Sequence, residues 1–242
     1  MNELKKVNEL QKLIDEANNI VFFGGAGVST LSGIKDFRGK NGLYKEITNY
    51  SPEYLLSLKC FYEEPTLFFD FYKTNLNSLN IKPNIIHKFL KKLEDINKLE
   101  AIVTQNIDGL HQAAGSKRVL EIHGSIYHNH CLKCGKSYEA KYVFESLGLP
   151  KCSCGGTIKP DVVLYGETLP IDIVNKACLA IASADLLIVA GTSLTVEPAA
   201  SMINLFIGKN LVILNDAKTP YDNKASLVIH ANLKNIFEYL KV

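Results

Sequence analysis

The sequence predicts an α/β fold, a doubly wound and mostly parallel sheet joined to a smaller inserted module, and three observations carry that prediction. Short β-branched runs recur along the chain (NIVFFGG, LEAIVTQN, DLLIVAGTS, NLVILND and ASLVIHA), and each ends in small or polar residues. Helical patterns separate most of them, including residues 86–98 and 198–207, and strands alternating with helices build a parallel sheet covered on both faces. Two segments break the alternation, an aromatic-rich helical stretch at 40–80 and a stretch at 126–160 that carries paired cysteines. A Rossmann-like sheet domain is therefore expected from residues 1–39, 81–125 and 161–242, with the insertions 40–80 and 126–160 forming a small domain beside it. In such a sheet functional groups gather beyond the carboxyl ends of the strands, where GAGVS, TQNIDGLH, GTS and ND stand.

Composition bounds the function. With 242 residues and 47% hydrophobic content the chain can bury a full core, and a formal charge of +2 is too small to make nucleic acid its main partner. Leu4, Val7, Leu10, Leu13, Ile14 and Ala17 recur at helical intervals among charges, which predicts an amphipathic helix and not a signal peptide. Apolar runs such as LLIVAG are too short to span a bilayer, so no membrane association is expected. The expected compartment is the reducing cytoplasm, where six cysteines act as metal ligands or buried thiols and not as a disulfide framework.

The first strand leads into VFFGGAGVSTLSGIKDFRG, which begins as a phosphate-binding loop, Gly25-x-Gly27, but has Thr30 where a third glycine belongs. No acidic residue follows at the end of a second strand about 20 positions on, so the hydride-transfer fingerprint is incomplete. The second run delivers Gln105, Asn106, Asp108 and His111 within seven positions. Turn and cap chemistry could account for that cluster alone, but not for its occurrence beside a glycine-rich loop. The run Val119-Leu120-Glu121-Ile122 delivers His123-Gly124, while His87, His128 and His230 read as satisfied core or surface residues.

The cysteines fall as Cys131-x-x-Cys134 and Cys152-x-Cys154. Four thiolates gather only around a cation that offsets their repulsion, and one tetrahedral zinc at a closed structural site does so, making the insertion a zinc ribbon. Adjacent extended side chains point apart, so Ser153 must lie in a turn; otherwise His130 or His128 replaces a thiolate. Cys60 and Cys178 are expected to be buried structural thiols.

GAGVSTLSGIKDFRG, TQNIDGLH, EIHG, the cysteine pairs, KPDVVLYGE and GTSLTVEPAA, in this order, resemble the sirtuins, the Sir2 family of NAD-dependent protein-lysine deacylases, from about Ile20 to Ile229. The resemblance implies that NAD is a co-substrate consumed and that acetylated-lysine proteins or peptides are the partners. Nicotinamide, O-acetyl-ADP-ribose and a deacetylated lysine are then the products. It implies that Gly25, Ala26 and Gly27 meet the pyrophosphate with backbone amides, with Thr30 nearby. Ser29, Gln105 and Asn106 would hold the ribose hydroxyls and an ordered water. Ala26, Ile34, Asp36, Phe37, Ile107 and Asp108 would form the nicotinamide pocket, and Arg38 would order the loop against the phosphates. Gly191, Thr192, Ser193, Asn215 and Asn232 would contact the rest of the nucleotide, Asn232 through its main-chain amide. His123 corresponds to the general base, with Asn106 beside it. The peptide would add as a strand between 162–164 and 193–196, touching Val163, Leu164, Leu194 and Val196, with its lysine in a tunnel past Phe37. Two positions depart from the family: Asn75 replaces the arginine of the Tyr-x-x-Arg pair that favours acidic acyl groups, and Leu31 replaces a small or polar residue. Mono-ADP-ribosyl transfer and a non-catalytic NAD sensor are the alternatives, and the tunnel residues with His123 weigh against both.

Overall fold

The computed structural model describes residues 3–37, 39, 42–45 and 49–242. From the N-terminus come α1 (Glu3–Glu16), β1 (Ile20–Gly24), α2 (Pro52–Leu55), α3 (Leu58–Glu63), α4 (Pro65–Asn75), α5 (Ile85–Asp95) and β2 (Leu99–Thr104). The middle holds α6 (Leu110–Ala113), β3 (Val119–Glu121), β4 (Gly124–Cys131), β5 (Ser137–Glu139), α7 (Ala140–Glu145) and β6 (Ile158–Val162). Then follow α8 (Ile171–Ser183), β7 (Leu186–Ala190), β8 (Asn210–Leu214), β9 (Leu227–Ile229) and α9 (Leu233–Phe237).

Six strands pair in parallel in the order β3-β2-β1-β7-β8-β9. The pleat sends Ile20 and Phe22 of β1 into the core under α1, α5 and α9, and Val21 and Phe23 into the core under α8. Both faces are covered, which is why the strand reads as an unbroken apolar run. The chain builds outward from β1 to β2 and β3, then returns to the other side of β1 with β7. The turns after β1 and β7 therefore diverge from neighbouring strands and open a crevice at their carboxyl ends. Asn84 caps α5 by accepting the Ile86 N–H at 2.8 Å, while its own side-chain amide donates to Val28 O at 2.9 Å and Ser32 Oγ at 3.0 Å. One cap thus fixes both the helix start and the loop beyond β1.

Two expectations are adjusted. The helix expected at 86–98 ends at Asp95, because Asn97 takes a left-handed φ of +58° before β2. The helix expected at 198–207 is a 3-10 stretch, Ala200–Leu205.

Beside the sheet lies an antiparallel sheet of order β5-β4-β6. Ser51 and Ser57 cap α2 and α3 by accepting the N–H groups of Tyr54 (3.1 Å) and Cys60 (3.0 Å), and Pro52 and Pro65 open α2 and α4. Phe61, Phe68, Phe69 and Tyr72 from these helices share one core with Ile126, Ile158 and Val162 of the small sheet. Cys60 is buried there as expected, but Cys178 is only partly covered, since it stands beside the Ala177–Ile181 stripe that α8 buries. No helix among the described residues is long and apolar enough to cross a membrane.

His87 and His111 meet in the core with ring centroids 4.7 Å apart. His87 Nδ1 accepts the Asn84 N–H at 3.2 Å, whereas His87 Nε2 and both nitrogens of His111 have no hydrogen-bond partner. Burial pushes His87 down to about 4 and, with His87 adjacent, His111 down to about 3. Both imidazoles stay neutral in the folded chain, while in the unfolded chain they take up protons near pH 6.5. The unfolded state therefore binds more protons between about pH 6.5 and 4, and stability falls as pH drops through that window by about 1.4 kcal/mol per pH unit per group. Denaturant unfolding of His111→Leu across this range should show a slope shallower by about one proton; equal slopes for the variant and the unaltered chain would refute the assignment.

Candidate active site

The turns after β1 and β7 touch. Gly25 N–H donates to Ala190 O at 3.1 Å and Gly27 N–H to Gly191 O at 2.8 Å. A Cβ on Gly25 would lie 2.6 Å from Thr192 Cβ, and one on Gly27 would lie 2.7 Å from Gly191 Cα. Gly191 itself holds φ +61°, and a side chain there would strike Val28 N at 2.5 Å. The expected role of the glycines is thereby altered: two of the three loop amides are spent on the turn and strand beside them, and the Ala26 N–H is the one without a partner among the described residues. Thr30 takes the third glycine's place because it lies past the close approach, where its hydroxyl donates to Gly27 O at 2.9 Å.

Beyond β2 a buried polar chain forms. Asn106 Nδ2 donates to Ser29 Oγ at 3.1 Å, and Ser29 Oγ donates to Asp108 Oδ2 at 2.6 Å. The other carboxylate oxygen accepts the Leu110 N–H at 2.9 Å, and Ser78 Oγ donates to Asp108 O at 3.1 Å. Burial raises the Asp108 pKa, opposed by the Ser29 hydroxyl and the Leu110 amide. Gln105 joins the two strand ends, with its N–H to Gly24 O at 2.9 Å and Nε2 to Thr192 Oγ1 at 3.0 Å. His123 Nδ1 lies 3.1 Å from Gln105 O. A carbonyl only accepts, so Nδ1 carries the proton and Nε2 keeps its lone pair. Burial lowers the His123 pKa, and the Gln105 carbonyl partly restores it, so the ring is neutral at pH 7.

These groups face one cleft of about 880 Å³. Its wall contains Ala26, Gly27, Ser29, Thr30, Ile34, Asp36, Phe37, Gln105, Asn106, Ile107, Asp108 and His123, with Val163, Leu164, Gly191, Thr192, Ser193, Val196, Asn215 and Asn232. Arg38 lies outside the described residues. Gly25 is not part of the wall, and Leu194, at φ +53° and 2% exposed, sends its side chain into the sheet core and not into the cleft. Leu31 packs against the core under α1 and α5, which accounts for an apolar residue there. Asn84 and Ser78 were not expected to serve the site. Asn84 carried a readable signal, a cap residue just before IIHKFL; Ser78 carried none.

The four sulfurs of Cys131, Cys134, Cys152 and Cys154 lie within 4.8 Å of one another, with Cys131–Cys154 at 3.5 Å and Cys134–Cys152 at 3.6 Å. A zinc with bonds of about 2.3 Å has tetrahedral edges of about 3.8 Å, so the cluster fits the metal. The turn required at Ser153 is present, closed by Gly155 N–H to Cys152 O and Cys152 N–H to Gly156 O, both 2.8 Å. A Cβ on Gly156 would lie 2.6 Å from Cys131 Sγ. His130 instead pairs with Asp161, and His128 is exposed, so neither is needed as a ligand. No cysteine lines the cleft, which makes the metal's role structural.

The Sir2 family model matches residues 25–198. The chain belongs to the Sir2 family. An NAD-dependent protein deacetylase of Clostridium perfringens (strain 13 / Type A) is 53% identical over 235 residues, 96% of each chain. Another, from Cutibacterium acnes, is 48% identical over 93% of each. Among solved structures, Sir2 with a p53 peptide and NAD+ superposes with a TM-score of 0.86 at 37% identity over 96% of this chain and 95% of that one. A Sir2 variant with a deacetylated p53 peptide and 3′-O-acetyl ADP-ribose superposes with a TM-score of 0.89 at 38% identity over 96% of each chain.

For this Sir2 chain, structural zinc at a four-thiolate site is worth on the order of 10 kcal/mol of folding free energy. Cys131→Ala or Cys154→Ala should lose the metal, soluble yield and activity together. Metal analysis is the check, and a fully active preparation without zinc would overturn the assignment.

Proposed function

We propose that this cleft performs NAD-dependent protein-lysine deacetylation, releasing nicotinamide, O-acetyl-ADP-ribose and the free lysine, on acetylated-lysine proteins of the cytoplasm. The observation that carries the reading is His123, a neutral imidazole with its Nε2 lone pair free, in the same cleft wall as the Asn106–Ser29–Asp108 chain.

NAD, when bound, supplies a ribose C1′ that nicotinamide leaves and the acyl oxygen joins, through a cation-like transition state. The residues divide the remaining work. Ile107 and Asp108, with Ala26, Ile34, Asp36 and Phe37, hold the nicotinamide end and exclude water. Ser29 is fixed between Asn106 and Asp108, so the Asn106 carboxamide has one orientation towards a ribose hydroxyl. His123 Nε2 takes the proton from that ribose as it captures the acyl carbon. Thr192, Ser193, Asn215 and Asn232 take the adenosine half. The peptide runs as a strand between two walls that both offer backbone groups without a partner among the described residues: Val163 O and Gly166 N–H on one side, Ser193 and Thr195 main chain on the other.

His123→Ala should still bind NAD and exchange labelled nicotinamide in the presence of acetyl-peptide, yet release deacetylated peptide at least about a hundredfold more slowly, because a general base is worth roughly 10²–10⁴ in rate. Near-normal deacetylation by this variant would remove His123 from the role. ADP-ribose on protein as the main product of the unaltered enzyme would move the activity to ADP-ribosyl transfer.

Acyl preference follows from α4. Asn75 lines the cleft and donates to Phe71 O at 2.9 Å, and the Lys73 ammonium is turned away to Ser146 O, Ser146 Oγ and Gly148 O at 2.6–2.8 Å. This helix offers a succinyl carboxylate no cation, and burying an unpaired carboxylate costs on the order of several kcal/mol. Acetyl-lysine peptide should turn over roughly a hundredfold or more faster than succinyl-lysine peptide, with Asn75→Arg narrowing the ratio. Equal turnover in steady-state assays would show that another cation serves the tunnel.

A further inference from the structure

The strap after β6, residues 162–167, is folded around one carboxylate. Glu167 Oε2 accepts the Leu164 N–H at 2.8 Å and the Lys159 ammonium at 3.0 Å. Lys159 also donates to Pro160 O at 3.1 Å and Val162 O at 3.3 Å, and its side chain is 9% exposed against 24% for Glu167. Glu167 N–H returns to Leu164 O at 2.9 Å, which closes the loop. An ion pair this well covered seldom stabilises a fold more than a hydrophobic pair of the same size would, so its geometry asks for another role.

The surroundings supply one. Val163 N–H is held by His123 O, and Tyr165 exchanges main-chain bonds with the start of the small domain, its N–H to Leu56 O and its O from Leu58 N–H, all at 2.9 Å. After these bonds Val163 O, the N–H and C=O of Gly166 and the C=O of Glu167 are without a partner among the described residues. Without the ammonium, the carbonyls of Pro160 and Val162 and the Glu167 carboxylate would converge with nothing between them, and the strap would open.

We propose that Lys159 and Glu167 are positioning residues for the acylated peptide: their ion pair folds the strap so that Val163 O and Gly166 present a strand edge at a fixed distance from His123. This rests on the reading that the peptide lies along the strap.

The test compares the full-length, zinc-loaded enzyme with Lys159→Met/Glu167→Leu, which removes both buried charges together, and with Val163→Glu, which obstructs the strap directly. The double variant should melt close to the unaltered enzyme and keep KM for NAD within about twofold, while KM for an acetyl-lysine peptide rises about tenfold or more. Val163→Glu should raise the same KM. If Val163→Glu raises it and the double variant does not, the positioning role is overturned and the peptide site stands. If neither does, the peptide site falls and the positioning role with it. Both KM values rising together with a lower melting temperature would also overturn the proposal, since the ion pair would then be supporting the fold at large.

Discussion

The active cleft depends on the contact between the turns after β1 and β7. Two main-chain hydrogen bonds and three glycines bring the backbones within a distance that no Cβ would permit. Because the turns are joined at their base, they separate above it, and the space between them opens into the cleft. The Ala26 amide is then presented at the start of a 3-10 turn, while Thr192 sits close enough to receive the Gln105 side chain. Replacing any of these glycines would move both walls at once, because each is the other's neighbour.

A second constraint operates where the sheet meets the small domain. His123 stands between β3 and β4, so the chain passes through it on leaving one sheet for the other. Its ring is tied to Gln105 on the sheet side and its carbonyl to Val163 on the other. Gly124, at φ +74°, lets β4 pass so near Asp161 O that a Cβ would lie 1.9 Å away. The tautomer that frees Nε2 is therefore a product of domain placement as much as of the residue itself.

Much of this was legible in the sequence, for physical reasons that differ from element to element. The strands of the large sheet are covered on both faces, so each reads as a continuous apolar run, and even the three-residue Val119–Glu121 was legible as the run that delivers His123. The metal cluster was readable from spacing, because thiolates gather only where a cation is held. The 3-10 conformation of 200–205 was not, since 3.6 and 3.0 residue periods differ little over so short a stretch. The glycine amides were misread because a loop that approaches phosphate and a loop that approaches a neighbouring strand need the same residues. That the Leu194 side chain turns into the core was not legible, because the family resemblance that named it says nothing of its left-handed φ. Lys159 and Glu167 stood in plain view within KPDVVLYGE, yet a lysine and a glutamate flanking an apolar run look like solvated ends until their burial is known.

β4 and β6 form the two arms of a caliper. Cys131 lies opposite Ile158 at the hinge end, where the metal is held, and Gly124 lies opposite Val162 at the jaws. One jaw continues into His123 and the other into the strap, and the Val163 N–H to His123 O bond of 2.9 Å joins the two just beyond the strand ends. The thiolate cluster at the far end therefore shares its two strands with the wall of the cleft, and a shift at one end of the caliper is carried by those strands to the other.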